Sequence, residues 1–172
     1  MAATNSAAKV SEYFQTNPRA MTMVAARELG ISEAQVMRGL PGDRVTELAA
    51  SRFHEIMDRL ADYENVHVIV SNGATTIEAF GQFGNFSTYG PFFNVQSKTV
   101  DMHIRQDEID SVFAVKKPGH LDGVVTLSIQ FYDRNGNSAF KVFLTFGSKA
   151  PSEECRQWWV DFRDKFAVRE DV

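Results

Sequence analysis

The chain has 172 residues, of which 44% are hydrophobic and 23% charged, and a formal net charge of −4. A chain of this length and balance can bury a core without disulfide or metal staples. The acidic balance excludes a globally basic nucleic-acid surface, and no apolar run approaches the ~20 residues that cross a bilayer.

The single cysteine, Cys155, permits no intrachain disulfide and fits a reducing, cytoplasmic location. Met1–Ala8 is small and polar, without the basic-then-apolar order of a secretory leader. The expected class is α+β: N-terminal helices of helix-turn-helix character, a large antiparallel meander and a C-terminal helix. Residues 1–172 are expected to form a single domain, with a helical subregion over 9–62, an antiparallel sheet over 66–147 and a closing helix over 151–167.

From Lys9 the pattern is helical, with Val10, Tyr13 and Phe14 on one face until Asn17-Pro18 stops it. Met21–Leu29 predicts a second helix, and Gly30 a left-handed cap. Ser32 with Gln35 three residues on predicts a capping box opening a third helix, which Pro41-Gly42 ends. The stretch AARELGISEAQVMRGL has helix-turn-helix grammar. A DNA-reading helix needs polar and basic side chains toward the bases; this one offers Glu33, Gln35 and Arg38, a thin set beside the alternative of a plain packing module. Asp43–Asp62 is expected to form a further helix, with His54 beside its apolar face.

Val66–Val70 predicts a strand, Asn72-Gly73 a hairpin turn, and Thr75–Phe80 the return. His67 should face away from Val66 and Val68. Gly81–Gly90 is expected to be a loop whose Phe83, Phe86 and Tyr89 cover either a flat apolar ligand or the open end of the sheet. Strands come next at Phe92–Val95 and Thr99–Arg105. In the latter Val100, Met102 and Ile104 alternate with Asp101, His103 and Arg105. Ser111–Lys116, Val124–Tyr132 and Ser138–Phe146 complete the meander. Pro151 is expected in the first turn of the last helix, whose Trp158, Trp159, Phe162 and Phe166 read as a packing stripe.

The chemistry legible in these residues is that of binding. No phosphate-cradling glycine motif, CxxC or HExxH occurs, and Cys155 beside Glu153 and Glu154 is a poor nucleophile. His103 and Arg105 share a strand face, so one ligand can meet both. An imidazole can ligate iron axially, and a guanidinium can pair a carboxylate; Lys116 and Lys117 would add positive charge. The alternative is an exposed charged strand face.

The order helix pair, hairpin, aromatic stretch, Phe92-Phe93-Asn94-Val95, Val100-x-x-His103-Ile104-Arg105 and Phe140-Lys141-Val142-Phe143 resembles the intracellular haem-utilisation carriers of the HutX/ChuX type. It is also similar to one half of the HemS-type proteins. The resemblance runs from about Lys9 to Phe166. It implies a homodimer with stacked sheets, haem as ligand, and hand-over to a partner protein, without catalysis. It places His103 at the second histidine of the family's His-Gly-His-Ile pattern and Arg105 at the basic residue that comes after it. Asp101 replaces the first histidine, and Phe92 replaces a tyrosine that some members use on iron. The expected site is therefore His103 as axial iron ligand with Arg105, Tyr89 and Lys116, and with Tyr89 or His120 as substitute second ligand. A helix-turn-helix regulatory or interaction module without haem is the alternative, and haem degradation a third reading.

Overall fold

The computed structural model describes residues 2–119, 121, 123–145 and 149–169; His120 lies outside them. Three helices come first: α1 (Ala2–Thr16), α2 (Thr22–Leu29) and α3 (Glu33–Gly39). Gly30 takes the left-handed conformation, φ 66°, and its amide closes on Ala26 and Arg27. Ser32 and Gln35 form the reciprocal capping box that their spacing predicts. Val10, Phe14, Ala25, Ala26 and Val36 give this unit a small core of its own.

Of the helix expected over Asp43–Asp62, only the second half forms. Val45–Leu48 is strand β1, and α4 (Phe53–Ala61) starts only after a short 3-10 turn. The β-branched Val45 and Thr46 pair with a distant partner, Val45 opposite Val115 and Leu48 opposite Val112. That long-range pairing overrides a helical period which local sequence also allows. The next strands are β2 (Val66–Ser71), β3 (Thr76–Gly81), β4 (Phe86–Tyr89), β5 (Phe92–Gln96) and β6 (Asp101–Arg105). Beyond them lie β7 (Ile109–Pro118), β8 (Val125–Asp133), β9 (Ser138–Phe143) and helix α5 (Glu153–Phe166). Ser152 caps α5 through the Cys155 amide, so Pro151 precedes the cap rather than occupying the first turn.

The strands divide between two antiparallel sheets. One has six strands in the order β1-β7-β8-β9-β2-β3, the other three in the order β4-β5-β6. Val66, Val68, Val112, Ala114, Leu127, Ile129, Phe131, Phe140 and Val142 line one face of the larger sheet. They pack with Phe53, Ile56, Met57 and Leu60 of α4, with Trp159, Phe162 and Phe166 of α5, and with the inner face of the smaller sheet. Each large apolar side chain so buried contributes ~1.5–3 kcal/mol. The C-terminal end of α5 closes the β1 edge: the Ala49 amide donates to the Phe166 carbonyl (2.8 Å) and the Val168 amide to the Glu47 carbonyl (3.0 Å).

The other face of the large sheet carries Phe113, Val115 and Tyr132 against Ala34 and Met37 of α3. Polar groups are buried there too. Lys141 Nζ donates to Glu33 Oε1 (2.6 Å), the Thr22 hydroxyl donates to the same oxygen, and the Tyr132 hydroxyl donates to Gln130 Oε1 (2.7 Å). The β8–β9 turn locks onto the start of α3, where the Ala34 amide donates to the Gly136 carbonyl (3.0 Å). At Gly136, φ 77°, a Cβ would collide with the Ser32 side chain, so only glycine fits.

Lys117 sits at this junction, its ammonium donating to the Ala20 carbonyl (2.6 Å). Burial, and then the neighbouring Lys141, lower its pKa from 10.5 to about 8, against a smaller opposing pull from Glu33. The unfolded chain keeps this proton to about 10.5 and the folded protein releases it at about 8. Between those values the unfolded state binds more protons, so stability rises with pH. Tyr63 and Tyr132, whose pKa values burial raises, act in the opposite sense above their ordinary value of 10.0. Scanning calorimetry is therefore expected to show Tm rising between about pH 8 and pH 10 in the wild type and a flatter profile in Lys117→Met. Equal slopes would remove Lys117 as the cause.

Candidate functional site

The smaller sheet turns one face to the core and the other outward. Phe86, Phe93, Val95, Met102 and Ile104 pack inward. The outer face is built of rows set by register. Ser87 lies opposite Asn94 and Asn94 opposite His103; the next row is Tyr89, Phe92 and Arg105. His103 and Arg105 thus share a face, as their spacing predicts. Strand β4 forms where the sequence predicts only a loop, Gly81–Gly90. Its four residues are too short to show a period between Gly84 and Gly90, and pairing with β5 creates it.

That pairing also separates the three aromatics. Phe83 is fully buried, and Phe86 packs beside it at 5.9 Å and beside Phe93 at 5.0 Å. Tyr89 alone stands out, 83% exposed. With Phe92, Asn94 and His103 it lines a shallow depression of about 550 Å³, within the ~300–1,000 Å³ typical of small-molecule sites.

His103 is held by one nitrogen. Nδ1 lies 2.7 Å from Asn94 Oδ1, whereas Nε2 is 3.9 Å from Asp101 Oδ1, beyond hydrogen-bond reach. Asn94 is itself buried and its amide nitrogen donates to Ser87 Oγ (3.1 Å), which donates to Gln96 Oε1 (3.2 Å). The unengaged Nε2 can take a metal bound by a single protein nitrogen. Among the described residues no cluster of three or more His, Cys, Asp or Glu could hold a metal ion by itself.

Arg105 Cζ lies 5.9 Å from the centre of the Phe92 ring. Its guanidinium makes a double contact with Asp107, 3.0 and 2.8 Å. This pair holds the arginine pKa above and the aspartate pKa below the ordinary values. Lys116 is not brought to the site. It is exposed on β7 of the larger sheet, opposite Leu127, and its amide donates to the Arg44 carbonyl. The other described histidines are engaged elsewhere: His54 Nε2 with Gln106 (2.8 Å), and His67 Nε2 with Glu78 (2.9 Å) under a stacked Phe80 ring. Sequence reasoning missed Asn94 and Ser87 as site residues, because only strand register reveals that they adjoin His103.

The helix-turn-helix segment does not present a reading surface. On α3, Glu33, Ala34, Val36 and Met37 are buried. Gln35 is spent in the cap, and Arg38 pairs with Glu47 beside Phe113. No described helix is long and apolar enough to cross a membrane.

A helical unit docked on one face of a six-stranded antiparallel sheet, with a three-stranded sheet that carries His103 on its outer face, defines a small α+β class. Residues 30–162 match the family model of the haemin-degrading HemS.ChuX domain, and the chain belongs to that haem-handling family. It is 21% identical over 138 residues to the intracellular heme transport protein HutX of Vibrio cholerae, covering 79% of this chain and 70% of HutX. Among solved structures, the heme-binding protein ChuX superposes with a TM-score of 0.80 at 20% identity, over 91% of this chain and 97% of ChuX. Haem-bound PhuS, a heme-binding protein of Pseudomonas aeruginosa, superposes with a TM-score of 0.80 at 18% identity, over 98% of this chain and 46% of PhuS. The fold is therefore that of ChuX and of about half of PhuS.

Proposed function

We propose that this protein binds haem in the cytoplasm and passes it, chemically unchanged, to a partner protein, with His103 Nε2 as the axial iron ligand. The observation that carries the reading is the His103 side chain: anchored through Nδ1, free at Nε2, and set in a depression walled by Tyr89 and Phe92. Haem iron accepts an imidazole nitrogen, and the surrounding polarity and donors tune what it does there. Family membership and the likeness to an intracellular heme transport protein support the same ligand.

Arg105 has a part in this reading although Asp107 holds it now. Both partners are exposed, and solvent screens an exposed ion pair so that it adds little to stability. Exchange of Asp107 for a propionate therefore costs little. Tyr89 lies directly across from Phe92, the position where the resemblance expects tyrosine, and its phenol faces the same side as His103. Assembly as a homodimer belongs to the same reading; Ile77, 67% exposed on the end strand β3, is apolar surface that such a contact would cover.

Haemin titrated into the purified protein is expected to give a saturable Soret band, and the band is expected to persist when ascorbate is added. A titration indistinguishable from buffer overturns haem binding. Bleaching of the band under reductant overturns carriage in favour of degradation.

A further inference from the structure

We propose that Asn94 is the positioning residue of the His103 site: its side-chain carbonyl holds the imidazole as the Nδ1–H tautomer, and Ser87 with Gln96 sets the orientation of the Asn94 amide. The consequence for ligand binding rests on the reading of His103 above, but the tautomer itself can be measured without haem.

Strand register brings the residues together. Ser87, Asn94 and His103 form one cross-strand row over β4, β5 and β6, with directly opposed Cβ atoms ~4.5–5.5 Å apart. Gln96 reaches into the row from the next outward position on β5. The hydrogen bonds run in one direction. Ser87 Oγ donates to Gln96 Oε1, so its lone pair accepts from Asn94 Nδ2, and Asn94 Oδ1 is left toward His103. A carbonyl oxygen cannot donate, so the short 2.7 Å contact requires the proton on Nδ1. The lone pair of the neutral ring then sits on Nε2, at the depression. A relay of opposite polarity, with the Asn94 amide turned round, would put the proton on Nε2 and block that nitrogen as a ligand. Metal-ligating histidines generally have the second ring nitrogen fixed in this way, and removing the fixing group typically weakens binding ~10–100-fold.

Asn94 is buried, whereas His103 has 62% of its side chain exposed. Packing therefore fixes the amide, and the amide orients an imidazole that solvent would otherwise leave to rotate. The small sheet thus supplies a rigid base for an exposed ligand.

The test is a long-range proton–nitrogen correlation spectrum of the haem-free protein labelled on histidine, recorded at about pH 8, where an ordinary imidazole is neutral. His103 is identified by its loss in His103→Gln. The wild type is expected to show the Nδ1–H pattern, and Asn94→Ala the Nε2–H pattern that free neutral imidazole favours. Asn94→Asp is expected to restore Nδ1–H, because a carboxylate only accepts. Ser87→Ala leaves His103 and Asn94 in place and is expected to give a mixture of tautomers. Haemin affinity is expected to fall ~10–100-fold in Asn94→Ala and to recover in Asn94→Asp. An Nε2–H ring in the wild type, or an unchanged Nδ1–H ring in Asn94→Ala, overturns the proposal. The expected tautomers without any haemin affinity would support Asn94 as the positioning residue and overturn His103 as iron ligand.

Discussion

Replacing Lys141 by alanine is expected to lower stability by ~3 kcal/mol, the low end of the ~3–5 kcal/mol cost of removing one partner of a buried ion pair. Glu33 has only 7% of its side chain exposed and Lys141 19%. Without that ammonium, the Glu33 carboxylate keeps the Thr22 hydroxyl as a donor and the weaker attraction of Lys117, and a buried charge that has lost its hydrogen-bonded cation is costly. The pair joins α3 to β9 across 108 positions in sequence, so its loss loosens the helical unit from the sheet. Removing both charges together, as Glu33→Gln with Lys141→Met, is expected to recover most of the loss, since a buried pair is worth little against uncharged residues of similar volume. Urea unfolding followed by far-ultraviolet circular dichroism and by tryptophan fluorescence checks this. The helices dominate the first signal; Trp158 and Trp159 on α5, against the opposite face of the sheet, give the second. Coincident transitions in the wild type are expected of one cooperative unit. A Lys141→Ala midpoint equal to that of the wild type would mean that apolar contacts alone hold the junction.

Local grammar is enough to read the parts of this fold that local forces determine. The Gly30 cap and the Ser32–Gln35 box depend on residues within five positions of each other, and both stand as their spacing predicts. The alternation over β6 likewise places Val100 and Ile104 inside and His103 and Arg105 outside. Where partners are distant in sequence, local grammar fails. β1 exists because β7 offers it an edge, and β4 because β5 does; neither fact is written in four residues. Alternation also gives a strand's faces without its neighbours. Hence β6 and β7, nearly consecutive in the chain, could not be assigned to different sheets. The same gap puts Lys116 with His103 on charge alone, when topology separates them. Asn94 and Ser87 escape notice as site residues for the complementary reason: Asn94 stands in the Phe92–Val95 motif and Ser87 in the aromatic stretch, but only register sets them beside His103.

His103→Ala is expected to weaken haemin binding by about 100-fold or more, beyond the ~10–100-fold typical of losing a group that merely supports a metal ligand. It should also replace the defined Soret maximum by the broad, weakly shifted band of haem held on an apolar surface. Misfolding does not explain such a loss. The side chain is 62% exposed, and its removal costs the Asn94 side-chain oxygen one hydrogen-bond partner, a local loss of ~1–3 kcal/mol set against the ~5–15 kcal/mol that hold a domain folded. Some affinity should remain, because Phe92 and Tyr89 still offer their rings. His54→Ala is the matched control. It removes a histidine that contacts Phe93 from the side of α4 and bonds Gln106, outside the depression, and is expected to leave the Soret band unchanged. Arg105→Ala should cost less than His103→Ala, because its guanidinium meets a propionate only by giving up Asp107. An unaltered Soret maximum in His103→Ala would move the iron to another side chain. Tyr89 is the next donor on the same face, and Tyr89→Phe should then abolish the band that His103→Ala had spared.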